Sequence, residues 1–220
     1  MVKQNKIILA IECAGGSVSA CLYRDEVLSE QYADIPYGHV KTLMPMIVSV
    51  INASGFNRND IDAIGVSTGP GFFTGLRIGL ATAHGLNIGL GTPVLGVTTL
   101  ESFAHQVNLK GRGLIIMETK RSDYYAQIFD GLNPVGEILV LEEDGIVALL
   151  PDVKTLTGSG VKRFLENNTV SDTIHIPQTF DFPTAGSVAK AVVHNMVLEN
   201  DMPSEPLYLR KPDVRMPKAK

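Results

Sequence analysis

The sequence predicts an α/β protein of two lobes, each a mixed sheet flanked by helices. Three observations carry this expectation. The chain opens with three strand-like segments joined by links too short to hold a helix. Apolar runs and helical periods then alternate. From Leu114 onward a similar order begins again, as a duplicated α/β unit would require. At 220 residues the chain can bury one sizeable core or two small ones.

Residues 7–12, 17–23 and 26–33 read as successive strands, punctuated by Gly15-Gly16 and by Arg24-Asp25, and their short links imply an antiparallel meander. Leu43, Met46, Ile47, Val50 and Ile51 give a helical period across 39–53, ended by Ser54-Gly55. A buried strand is expected at 61–67, a glycine-rich helix after it, a strand at 93–97 and a helix over 99–107. In the second half, strands are expected at Leu114–Met117, Tyr124–Phe129, Ile138–Leu141, near 153–157 and near 173–176. Helices are expected near 160–167 and, longer, at 184–199, and the proline-rich stretch from Met202 to Pro217 reads as extended. The expected organisation is a first lobe over 1–108, a smaller second lobe over 109–201 and a tail over 202–220.

The run Ser67-Thr68-Gly69-Pro70-Gly71-Phe72-Phe73-Thr74-Gly75-Leu76-Arg77-Ile78-Gly79 is the most informative stretch. Gly69-Pro70-Gly71 breaks the strand sharply, and Thr74 is the expected N-cap of the next helix. Such a strand–turn–helix leaves backbone N–H groups where an anion can sit, although a tight structural turn is the commoner use. Gly75, Gly79 and Ala83 recur every fourth residue, as do Gly85 and Gly89. Each helical glycine costs about 0.8–1.0 kcal/mol relative to alanine, so the repetition needs a cause outside local propensity. Small residues at this spacing let another backbone come close.

Composition narrows the function classes. Hydrophobic residues make up 45% and charged residues 19%, with a net charge of −4, so the whole chain is not an electrostatic nucleic-acid binder. A basic cluster, Arg210, Lys211, Arg215, Lys218 and Lys220, stands at the end. No segment approaches the roughly 20 apolar residues that span a bilayer. Ile7–Ile11 is too short for a signal sequence and is ended by Glu12. Cys13 and Cys21 form no CxxC pair and read as reduced, buried thiols of a cytoplasmic protein.

Several segments together carry a family likeness: Ile8-Leu9-Ala10-Ile11-Glu12-Cys13-Ala14, His39 with Leu43-Met44-Pro45, the glycine run through Gly79, and Pro206-Leu207-Tyr208-Leu209-Arg210. Over residues 7–212 the chain resembles the bacterial TsaB family, also called YeaZ. The resemblance implies the actin-like, sugar-kinase and Hsp70-like ATPase fold, with two lobes of RNase H-like topology. It implies a role in making threonylcarbamoyladenosine at position 37 of tRNAs that read codons starting with adenine. It further implies a non-catalytic paralogue that pairs with the catalytic subunit TsaD, joined by the ATPase TsaE, and a homodimer in isolation. Contact with tRNA would then be indirect, through the complex, and no membrane is involved.

The residues give little chemistry of their own. Two histidines at i and i+4 on one helix would hold a metal, as in the catalytic paralogue, but His39 is followed four residues later by Leu43. No metal site and no catalytic residue are therefore expected. Glu12 stands where ATPases of this fold carry an aspartate for Mg²⁺–phosphate, and with Gly69, Gly71, Thr74, Gly158 and Gly160 it makes a set of vestigial nucleotide-site candidates. No cofactor is expected, with ATP or ADP at a subunit interface as the minor alternative. Glu118, Arg121 and Asp123 read as a charged turn between two strands. For the partner surface, the expected residues are Gly75, Leu76, Gly79, Leu80 and Ala83, with Leu43 and Ile47 adding apolar area. The competing readings are a nucleotide-binding kinase or ATPase of the same fold and, behind it, a glycoprotease-type peptidase, for which no nucleophilic triad is evident.

Overall fold

The structure is a computed structural model and describes residues 5–35, 38–177 and 182–210. The first sheet begins with a meander of β1 (Ile8–Glu12), β2 (Ser17–Arg24) and β3 (Glu26–Asp34). Helix α1 (His39–Ser54) leads to β4 (Ala63–Gly69), then α2 (Phe73–Leu90), β5 (Val94–Thr98) and α3 (Thr99–Gln106). The strand order is β3-β2-β1-β4-β5, antiparallel through the meander and parallel from β1 to β4 to β5. The alternation of Leu9, Ile11 and Ile8, Ala10 sends successive side chains into two different cores, because neighbours on a strand face opposite ways.

The second sheet contains β6 (Arg112–Glu118), β7 (Tyr124–Asp130), β8 (Asn133–Leu141) and β9 (Thr155–Thr157), with α4 (Glu143–Leu149) and α5 (Val161–Asn167) beside it. Its order, β8-β7-β6-β9, repeats the first sheet without the fifth strand. The strand expected near 173–176 is reduced to a single parallel bridge between Thr155 and His175. The shorter second half thus keeps the duplicated topology, and α4, seven residues with a glycine inside, is a helix the sequence pattern did not announce.

Two placements differ from expectation. Helix α6 (Ala185–Val197) was expected in the second lobe, yet it lies on the first sheet, where Val188, Ala189 and Val192 share a core with Ile8, Ala10 and Cys21. Residues 202–210 are extended but packed. The amide of Gly96 at the β5 edge donates to Met202 O (3.1 Å), and Leu207 N donates to Thr68 O (2.8 Å). Arg210 then pairs with Asp123 on the turn after β6. This strap covers an otherwise open strand edge and ties the two sheets together. The remaining basic residues, Lys211, Arg215, Lys218 and Lys220, lie outside the described residues.

Candidate docking face and the closed phosphate turn

The turn after β1 and the turn after β4 meet at one point, and their meeting decides what each can bind. Glu12 ends β1 fully buried. Its Oε1 accepts from Ala14 N at 2.5 Å, and its other oxygen accepts from the hydroxyl of Ser67 on β4. The carboxylate is therefore folded back onto its own turn. Burial is the dominant influence and raises its pKa from the ordinary 4.5 to about 7, against the lowering effect of Ser67 and of the Ala14, Gly15 and Cys13 amides.

Above this carboxylate the two turns are locked. Phe72 N donates to Ala14 O at 2.7 Å, and a Cβ on Gly71 would collide with that same carbonyl. Gly15 faces the ring of Phe182 with no room for a side chain, and Phe182 and Phe72 lie 6.2 Å apart, centroid to centroid. Gly69 has a φ of +106°, which glycine adopts without strain. The glycines of this turn thus serve close packing of backbone on backbone, and the residues present do not fit a Mg²⁺–phosphate group against Glu12. Thr74 does not cap the helix: α2 starts at Phe73, Phe72 is its N-cap, and no side chain caps it. Gly158 (φ +109°) and Gly160 pack against Ile116 O and Tyr124 in the second sheet. Ser159 between them shares a cavity of about 260 Å³ with Ala14, Gly71, Glu118 and Lys120, so the two turns do face each other across the cleft between the lobes.

The charged turn after β6 is internally satisfied. Arg163 bridges to Glu118 (3.0 Å), donates to the carbonyls of Arg121 and Asp123, and lies 3.9 Å from the Tyr124 ring. Thr119 Oγ1 donates to the Asp123 carboxylate at 2.6 Å. Among the described residues no group of three metal-ligating side chains occurs.

The expected partner surface is corrected by burial. Gly75, Leu76, Gly79, Leu80 and Ala83 are all buried, as are Leu43 and Ile47 on α1. The first three small residues point inward because the β1–β2 turn crosses the start of α2: a Cβ on Gly75 would strike the carbonyl of Cys13, and one on Gly79 would lie 3.3 Å from Cys13 Cβ. These seven residues form the chain's own core, and none is open to a partner.

The opposite faces of the same two helices are largely exposed, with Ser204 and Tyr208 of the strap touching α2 at His84, Arg77 and Phe73. On α1, Val40 (68% exposed), Met44 and Val48 (52%) stand one turn apart. On α2, the outward stripe runs from Phe73 through Ala81 and Gly85 to Ile88, which is 86% exposed, and a Cβ on Gly85 or Gly89 would meet nothing. A groove of about 940 Å³ between the helix starts is lined by Val40, Phe73 and Ile78 together with Asp34, His39, Lys41 and Lys120, so the two stripes adjoin at their N-terminal ends. An apolar side-chain row next to a row of small residues is what a second helix pair needs to pack closely. The period-four signal was present in Val40, Met44 and Val48, though a reading centred on the inward stripe overlooks it.

The family model described as "TsaD: tRNA N6-adenosine threonylcarbamoyltransferase" matches residues 35–202. Among curated relatives, the tRNA threonylcarbamoyladenosine biosynthesis protein TsaB of Escherichia coli is 37% identical over 97 residues, 44% of this chain and 42% of that protein. The Haemophilus influenzae protein of the same name is 28% identical over 229 residues and aligns over 94% of both chains. The chain belongs to this family, in its TsaB (YeaZ) branch. Against the E. coli TsaB the match spans less than half of that protein's length. The fold agrees: YeaZ from Pseudomonas aeruginosa superposes with a TM-score of 0.80 at 21% identity, covering 93% of this chain and 100% of that one. An inorganic polyphosphate/ATP-glucomannokinase from Arthrobacter reaches 0.50 at 12% identity, which places the TsaB-type chain in the actin-like, sugar-kinase fold.

Proposed function

We propose that the chain is the non-catalytic subunit of a tRNA threonylcarbamoyladenosine transferase, acting on adenine 37 of tRNAs that read codons starting with adenine. In this reading it docks on TsaD through the outward face of α1 and α2, with TsaE joining the pair. The observation that carries it is the contrast within α2. Its inward glycines pack against Cys13 beside the closed phosphate turn, while its outward stripe of Ala81, Gly85 and Ile88 is left exposed, as are Met44 and Val48 on α1. Leu43, which stands where a second metal-binding histidine would be needed, is a core residue, and this supports leaving the chemistry to the partner.

In isolation the same face would be covered by a second copy, giving a homodimer that dissociates when TsaD is offered. Contact with tRNA would run through TsaD. No helix among the described residues is long and apolar enough to cross a membrane, and a tRNA-modifying role places the complex in the cytoplasm. A kinase or ATPase reading is disfavoured by the inward turn of Glu12, and ATP or ADP remains relevant only where the partner completes a site.

The test is reconstitution. Purified TsaD and TsaE with unmodified tRNA, ATP and threonylcarbamoyl adenylate as the group donor should form the modified adenosine, releasing AMP, only when this chain is added. Equal product without it, or phosphoryl transfer from ATP by the chain alone, would refute the assignment.

A further inference from the structure

We propose that Phe73, Arg77 and Tyr208 form a preassembled anchor on the α1–α2 face that receives a carboxylate of the partner protein; this rests on the docking reading above. Arg77 lies one turn after Phe73 on the exposed side of α2. Its guanidinium stands 3.7 Å from the centroid of the Phe73 ring and 5.8 Å from that of Tyr208. Its Nε donates to the Tyr208 hydroxyl at 2.9 Å, and the two rings are 5.5 Å apart.

Nothing local requires this arrangement. Tyr208 comes from 131 residues away in sequence and is delivered by the strap, which the Leu207–Thr68 and Gly96–Met202 hydrogen bonds fasten beside it. An exposed arginine ordinarily samples many rotamers, and that freedom is lost when it binds. Here it is lost beforehand, between two rings that are themselves 43–44% exposed. Among the described residues, Arg77 has no carboxylate partner. With Nε engaged, the Nη groups still offer the donors that carboxylates take in pairs.

A protein carboxylate is favoured over an RNA phosphate by the surroundings. Phosphate-backbone binding draws on many cations at once. Arg77 instead follows Phe73 and precedes Ile78, two apolar walls of the groove, in a chain of net charge −4. The charged lining of that groove sets Asp34 among Lys41 and Lys120 and is not a run of cations alone. Arginine and tyrosine set in an apolar patch are the residues that dominate protein interfaces.

The test measures TsaD binding by calorimetry for the native chain and for R77Q, R77K, Y208F and I88E, at two salt concentrations, with thermal unfolding of each. A parallel titration uses tRNA alone. The anchor predicts at least tenfold weaker TsaD binding for R77Q, nearly as large a loss for R77K, a few-fold loss for Y208F and a reduced salt dependence in R77Q. Unfolding midpoints should stay near the native one. Native affinity in R77Q while I88E loses binding would overturn the anchor and leave the docking face standing. Native affinity in I88E as well would remove the docking reading itself. A loss confined to the tRNA titration would assign Arg77 to RNA and overturn the proposal.

Discussion

Gly75 of α2 lies against the carbonyl of Cys13 with no space for a single methyl group between them. This contact fixes how the glycine helix sits on the end of β1, and it separates two uses of glycine within one helix. Replacing Gly75 by alanine must push the backbone of the β1–β2 turn away. The expected loss is about 1–3 kcal/mol of stability, in the range of core overpacking. Gly85 faces open space, so Gly85→Ala should gain about 0.8–1.0 kcal/mol from helix propensity alone. Urea unfolding of both variants checks the opposite signs.

Glu12 should impose its own pH dependence on stability. The unfolded chain releases this proton near 4.5, whereas the folded protein holds it up to about 7. Between these values the unfolded state binds fewer protons, so the stabilising contribution present at low pH is lost as pH rises through the window. The loss is on the order of 3 kcal/mol at 1.36 kcal/mol per pKa unit. Glu12→Gln keeps an acceptor for Ala14 N and offers a donor to Ser67. Its stability profile should lack this slope between pH 4.5 and 7. An unchanged slope would mean that the carboxylate is ionised in the folded protein.

His105 acts in the other direction. It is buried between α3 and α6, edge-on to His194 at 5.1 Å, and burial, then His194 and Lys190, lower its pKa from 6.5 to about 4. As pH falls below 6.5 the unfolded state takes up the proton first, so stability declines between pH 6.5 and 4. His105→Leu should flatten that part of the profile, read as the unfolding midpoint in urea at each pH.

Much of the frame was legible in the sequence, and the failures have physical causes. Short links forced the meander, and Ser54-Gly55 marked the end of α1, whose C-cap Gly55 has a φ of +79°. The small-residue repeat was legible as well, but its direction was not. Gly75, Gly79 and Ala83 obey the same period as Ala81, Gly85 and Gly89, and only the turn at Cys13, brought over from β1, decides which stripe is core. Glu12 was readable as a carboxylate at a strand end. Its inward turn depends on Ser67, 55 residues away. Helix α6 follows the second sheet in sequence and covers the first, a choice that its apolar pattern cannot express. Tyr208 gains its place on Arg77 only through the strap.

On the proposed function, the outward face of α1 and α2, and not the inward stripe, meets the partner. Calorimetric binding of TsaD to Val48→Glu and Ile88→Glu variants tests it most directly. Both side chains are largely exposed, so the variants should fold with native unfolding midpoints. Each variant should lose at least a hundredfold in affinity for TsaD. Native affinity in both would contradict it.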